Sequence, residues 1–182
     1  MPTISPYTKI CESCLKEKPP FSEILYYGIY EGALKEAIHI LKFNGVKRLS
    51  NPLSRLLLEL PIPRCDAIVP VPLHKKRLKQ REFNQTAAIS LRLSKELKIP
   101  LALNILRKIK ETPPQTEVSG RERIINIKNA FIASEDIKGL EVLLVDDVIT
   151  TGSTVTECSK ALKKAGAKGI TVAALARSMP KA

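Results

Sequence analysis

One stretch, Val142 to Thr154, constrains the fold more than any other. Four aliphatic residues, Val142, Leu143, Leu144 and Val145, end in paired carboxylates, Asp146 and Asp147. A small, hydroxyl-rich turn follows, Thr150-Thr151-Gly152-Ser153-Thr154, and a helical pattern then begins. An aliphatic run without polar alternation predicts a strand buried on both faces, as in parallel sheets covered by helices. Backbone N–H groups at a turn and helix N-terminus can hold a phosphate, and Thr and Ser hydroxyls add donors. Two carboxylates just before it can hold sugar hydroxyls, or a metal ion bridging to a second phosphate. Asp, Ser and Thr are also ordinary capping residues, so each element alone is weak. Adjacent charges after a wholly apolar strand are nevertheless costly to pack without a purpose. The linked pattern predicts a site for a phosphorylated sugar.

The rest of the chain bounds what surrounds that site. At 182 residues it is long enough for one domain with a proper core and a small appendage. Thirty basic against eighteen acidic residues give a net charge of +12. Such a field draws polyanions, either phosphorylated substrates or nucleic acid. Lys richness also accompanies heat adaptation, so charge alone does not choose the partner. No apolar run is long enough for a membrane span, and MPTISPYTKICESC lacks the apolar core of a signal peptide. A cytoplasmic location is expected. Of four cysteines only Cys11 and Cys14 are closely spaced, which argues against a disulfide framework. Cys65 and Cys158 read as small core residues.

Residues 1–30 read as an irregular leader carrying Cys11-x-x-Cys14, followed by one domain over 31–182. Helices are expected over 31–43, with Leu34, Ala37, Ile38 and Leu41 on one face, and over 51–60. Asp66–Val69 is a short strand stopped by Pro70-Val71-Pro72, and a basic loop follows with Lys75, Lys76, Arg77, Lys79 and Arg81. Asn84 can cap a helix running to about Lys98, with Ala88, Leu91 and Leu97 on its apolar face. Leu101–Leu106 suggests another strand. Residues 109–123 lack apolar periodicity and are long enough to form a lid. The helix from Ser153 to Ala165 puts Val155, Cys158, Leu162 and Ala165 on one face, and Ile170–Leu175 makes a last core strand. Ligands of such sheets bind beyond the strand carboxyl ends, here Val69–Pro72 and Asp146–Thr154.

Taken together, these segments resemble a known family. VLLVDDVITTGST is similar to the ribose-phosphate signature of type I phosphoribosyltransferases. More narrowly, CESCLKEKPPF (11–21), IYEGALKEAIHILKFNG (29–45), DAIVPVPLHKKRLKQREFNQ (66–85) and TPPQTEVSGRERIINIKNAF (112–131) resemble the competence protein F (ComF) family. The resemblance implies an α/β fold with a type I phosphoribosyltransferase-like parallel sheet flanked by helices, and a small N-terminal zinc-ribbon remnant.

It also implies roles. Asp146 and Asp147 would contact the ribose hydroxyls of phosphoribosyl pyrophosphate (PRPP), directly or through Mg²⁺. Thr150, Thr151, Gly152, Ser153 and Thr154 would cradle its 5′-phosphate. Pro70, Val71 and Pro72, running on to His74, would lie where relatives bind pyrophosphate, with Lys75, Arg77 and Arg81 as basic candidates. The segment holding Thr112, Gln115, Arg121 and Arg123 would be the lid. Transfer at C1 would need little covalent help, since Mg²⁺ and basic groups stabilise departing pyrophosphate.

The chain departs from the family pattern twice. The family has two CxxC pairs suited to tetrahedral zinc, whereas Cys11 and Cys14 are one pair. A missing upstream segment, a vestigial site, a Zn²⁺ ion shared by two chains of a dimer, and a redox pair all stay open. The family's Arg-Gly-Phe-Asn-Gln is Arg81-Glu82-Phe83-Asn84-Gln85 here, a change that matters only if position 82 needs positive φ.

Tyr26, Tyr27 and Tyr30 are read as docking residues of the leader or as base-stacking groups. Two functions remain: a ComF-type protein that binds PRPP and handles single-stranded DNA during uptake, or an active phosphoribosyltransferase, a pentosyl-transferring glycosyltransferase. A P-loop or dinucleotide-binding protein is disfavoured, because neither GxxxxGK[ST] nor GxGxxG is present.

Overall fold

The computed structural model describes residues 18–111 and 127–179. Four parallel strands form the central sheet: β1 (Glu23–Ile29), β2 (Ala67–Pro70), β5 (Glu141–Ile149) and β6 (Gly169–Arg177), in the order β1-β6-β5-β2. Among the described residues five α-helices accompany it: α1 (Gly32–Phe43), α2 (Ser50–Leu58), α3 (Lys75–Arg81), α4 (Gln85–Leu97) and α5 (Ser153–Lys164). A separate antiparallel pair joins β3 (Leu106–Lys108) to β4 (Phe131–Ala133).

Strands β2, β5 and β6 are buried almost throughout, as their uninterrupted aliphatic sequences require. Alternate residues serve two cores. Val142 and Leu144 of β5, with Val172 and Ala174 of β6, pack against Val155, Cys158 and Leu162 of α5. Leu143 and Val145, with Ala173 and Leu175, pack against Ile38 and Leu41 of α1, Leu53 and Leu57 of α2, and Ile89 and Leu93 of α4. The domain is thus a three-layer α/β sandwich.

Several expectations need correction. The end of the supposed irregular leader is strand β1, hydrogen-bonded in register to β6 from Glu23↔Thr171 to Ile29↔Arg177. Its partner lies almost the whole chain away, so no local pattern announces the pairing. Tyr26 and Tyr30 pack against the two cores, the docking role rather than an exposed stacking one. Leu101–Leu106 is not a continuous strand: Leu101 makes a single parallel bridge to Ile68, and β3 begins only at Leu106.

The basic loop after Pro72 is in large part helix α3, which carries Lys75, Lys76, Arg77, Lys79 and Arg81. On α4 the buried face is Gln85, Thr86, Ile89, Ser90 and Leu93, whereas Leu91 is exposed. That face carries three polar side chains, so apolar spacing does not reveal it.

Candidate functional site

The site is built at the carboxyl end of β5. The strand does not stop before the acids; it continues through them to Ile149, with Asp146 opposite Ala174 and Val148 opposite Ala176 of β6. Strand alternation therefore sends the two carboxylates to opposite faces of the sheet. Both are buried, at 9% and 4% exposure.

Asp147 points to the layer of α1 and α4. Its Oδ1 lies 2.8 Å from Lys42 Nζ, and its Oδ2 accepts a hydrogen bond of 2.8 Å from Gln85 Nε2. Lys42 sits in the last turn of α1 and Gln85 in the first of α4. Gln85 is placed by its neighbour Asn84, the N-cap, whose side chain accepts from Thr86 N and Ala87 N. The same amide donates to Val71 O at 3.1 Å, tying the start of α4 to the end of β2. Burial alone lowers the Lys42 pKa, but the charge and hydrogen bond of Asp147, helped by Asp146 and Tyr30, raise it on balance.

Asp146 faces the α5 and β3 layer. Its Oδ1 accepts from Asp147 N at 2.8 Å. Burial first, then the charge of Asp147, pushes its carboxyl up to about 7, although Lys42 and Lys108 pull the other way. Across from it, burial and then Arg77 lower the Lys108 ammonium to about 8. Burial and then Asp146 raise the Cys158 thiol well above its usual value, as befits a core residue.

The hydroxyl-rich turn follows at once. Gly152 stands at the N-cap of α5 with φ +78°, a left-handed conformation that suits glycine, and has no side chain to cap the helix itself. Thr151 Oγ1 and Ser153 Oγ share a 2.8 Å hydrogen bond, and Ser153 N donates to Thr151 Oγ1. Thr150, Gly152, Ser153 and Thr154 are partly buried. Helix α5 has no acidic residue in its own first turn to offset the positive end of its dipole.

At the second strand end, Val71 N donates to Val145 O, holding Pro70–Pro72 beside β5. His74 caps α3 through Nδ1, which accepts from Lys76 N. Lys75 is exposed and Arg77 half-buried. Burial lowers the Arg81 pKa, and the charge of Asp147 offsets part of that. Cys11 and Cys14, and the lid residues Thr112, Gln115, Arg121 and Arg123, lie outside the described residues. Among the described residues no group of three or more His, Cys, Asp or Glu side chains could hold a metal ion.

Lys42, Gln85 and Lys108 carry no role in the sequence pattern. A lysine in the last turn of a helix looks like a dipole partner, and a glutamine after an N-cap looks like a surface residue. Glu82, which replaces the family glycine, has φ +62°, so that position does need the left-handed conformation.

A model of the phosphoribosyl transferase domain matches residues 87–181, which include the turn and both acids. Competence protein F of Haemophilus influenzae is 37% identical over 185 residues, covering 94% of this chain and 80% of that protein. This chain belongs to the competence protein F family.

A second relative, the DNA utilization protein YhgH of Escherichia coli K12, is 35% identical over 179 residues, covering 93% of this chain and 78% of its own. Among solved structures, the purine phosphoribosyltransferase from Pyrococcus horikoshii covers 85% of this chain and 78% of its own at 23% identity, with a TM-score of 0.40. In this member of the family, Lys42 and Gln85 both lie N-terminal to the matched segment yet hold one of its acids.

Proposed function

We propose that this competence protein F family member binds PRPP at the end of β5 and works in the handling of single-stranded DNA. The observation that carries the ligand is the continuity of buried acids, glycine-bearing turn and helix N-terminus within nine residues, 146–154. The 5′-phosphate fits the turn, where N–H groups, hydroxyls and the α5 dipole converge. Ribose hydroxyls fit Asp147, whose oxygens keep lone pairs beyond those used by Lys42 and Gln85. The pyrophosphate fits the β2 end beside Arg77 and Arg81. The DNA half is supported by the names of the relatives, a competence protein and a DNA utilization protein, and by the charge of +12.

Mg²⁺ suits this reading only as a passenger of the ligand. An ammonium 2.8 Å from Asp147 Oδ1 disfavours a divalent ion there, and no third acid among the described residues completes a set of ligands. Such an ion would be held chiefly by PRPP oxygens and water. When bound, the ion would neutralise pyrophosphate charge. Zn²⁺ at Cys11 and Cys14 is a separate proposal, tested by metal analysis of the purified chain and its Cys11→Ser variant.

Calorimetric titration with PRPP and Mg²⁺ tests the site. Binding by the native chain and its loss in Asp147→Ala support it; an absence of heat and of any melting shift at millimolar PRPP sinks it. Pyrophosphate release in the presence of a nucleobase would move the reading to an active phosphoribosyltransferase.

A further inference from the structure

On the outer side of α1 lies an exposed stack of π groups. His39 and Phe43, one helical turn apart, have ring centroids 4.7 Å apart. The Arg81 guanidinium lies over the Phe43 ring, 4.8 Å from its centroid. Lys47 Nζ lies over Phe83, 5.3 Å from that centroid, so a second cation–ring pair flanks the first. Phe43 is 58% exposed, and His39 is also exposed. A single exposed apolar side chain is ordinary, but Phe43 is set apart by having a second ring on one side and a guanidinium over its face.

The stack is not remote from the phosphoribose site. Lys42, the residue before Phe43, is the one that grips Asp147, and Arg81 feels the Asp147 charge. Exposed Lys35, Lys47, Arg48, Lys75 and Lys79 belong to the same three segments, α1, its C-terminal turn and α3. Aromatic rings interleaved with cations in a basic field suit a chain that carries both flat faces and phosphates. An acidic peptide offers charge without the faces, and a free base offers a face without the phosphates.

We propose that His39, Phe43 and Arg81 form a stacking platform for the bases of single-stranded DNA, whose phosphates are met by the lysines of α1 and α3. This rests on the DNA half of the function proposed above, and it shares Arg81 with the pyrophosphate end of the PRPP reading. Phe43 and Arg81 offer planar groups on which a base can lie, and the platform reads no particular sequence because every base has a π face.

Fluorescence anisotropy with a labelled oligothymidylate, and with an abasic strand of equal length, tests it in the full chain. Phe43→Ala removes only an exposed ring. It is expected to weaken oligothymidylate binding about tenfold while leaving abasic-strand affinity unchanged. Because the chain has no tryptophan, Phe43→Trp supplies a single indole reporter, and oligothymidylate but not the abasic strand should quench it. Undiminished oligothymidylate affinity in Phe43→Ala, equal binding of both strands by the native chain, or indole fluorescence of Phe43→Trp that oligothymidylate leaves unquenched would each overturn the platform. Base-dependent quenching in a protein that ignores PRPP would retain the platform while removing the PRPP reading.

Discussion

Lys42 and Asp147 form an ion pair of 2.8 Å between the last turn of α1 and the carboxyl end of β5, with side chains 17% and 6% exposed. Gln85 holds the other carboxylate oxygen at 2.8 Å, so two helices fix one acid. The pair locks the carboxylate in place where a sugar would meet it, and its removal should be felt in both stability and binding.

Lys42→Met leaves Asp147 buried without its counter-charge, a loss expected to cost about 3 kcal/mol. Adding Asp147→Asn to that variant should restore much of the stability, because the orphaned charge is then gone. Chemical denaturation of the two single variants and the double variant measures this directly. Strictly additive losses would mean that the two residues do not interact.

Asp146 gives a pH signature of opposite sign to that of an ordinary ion-paired acid. Its folded pKa, about 7, lies above the unfolded value of 3.8, so the native state binds the extra proton between them. Native stability attributable to this group therefore falls as pH rises from about 4 through 7. Asp146→Asn keeps an acceptor for Asp147 N–H and removes the penalty. At pH 8 its melting temperature should exceed that of the native chain by several degrees, and at pH 4 the two should converge. A gap that is the same at both pH values would assign the effect to something other than ionisation.

Glu82 ends α3 in the left-handed conformation at φ +62°, ψ −16°, exposed to solvent. A Cβ there costs about 1 kcal/mol, partly offset in glycine by its greater unfolded-state freedom. Glu82→Gly should thus raise the melting temperature by about 1–3 °C, read by calorimetry. It also shortens no side chain that packs, so PRPP affinity should change little.

Gly152 occupies the corresponding conformation at the hydroxyl-rich turn, with no atom beyond its chain neighbours within 4 Å of where a Cβ would stand. Space is not the constraint; φ is. Gly152→Ala should destabilise the chain by about 1 kcal/mol and twist the turn enough to weaken PRPP binding several-fold. Calorimetric titration with PRPP reads the second effect, and unchanged affinity would place the phosphate elsewhere.

Much of the fold is legible locally. The aliphatic runs of β2, β5 and β6, the Asn84 cap and the face of Val155, Cys158, Leu162 and Ala165 follow from patterns within a few residues. Strand β1 is not legible in this way, because Glu23–Ile29 is defined by β6, far away in the chain.

For the site, residue order alone specifies which groups are present: two adjacent acids, a hydroxyl-rich turn with one glycine, and basic segments after β2. How they divide depends on the folded sheet. The pleat turns Asp146 and Asp147 to opposite faces, so one meets Lys42 and Gln85 while the other stays buried near Lys108 and Cys158. Adjacency in sequence gives two carboxylates the same neighbours along the chain. A two-residue period across a sheet gives them different neighbours in space, a cation and an amide for Asp147 and the α5 layer for Asp146.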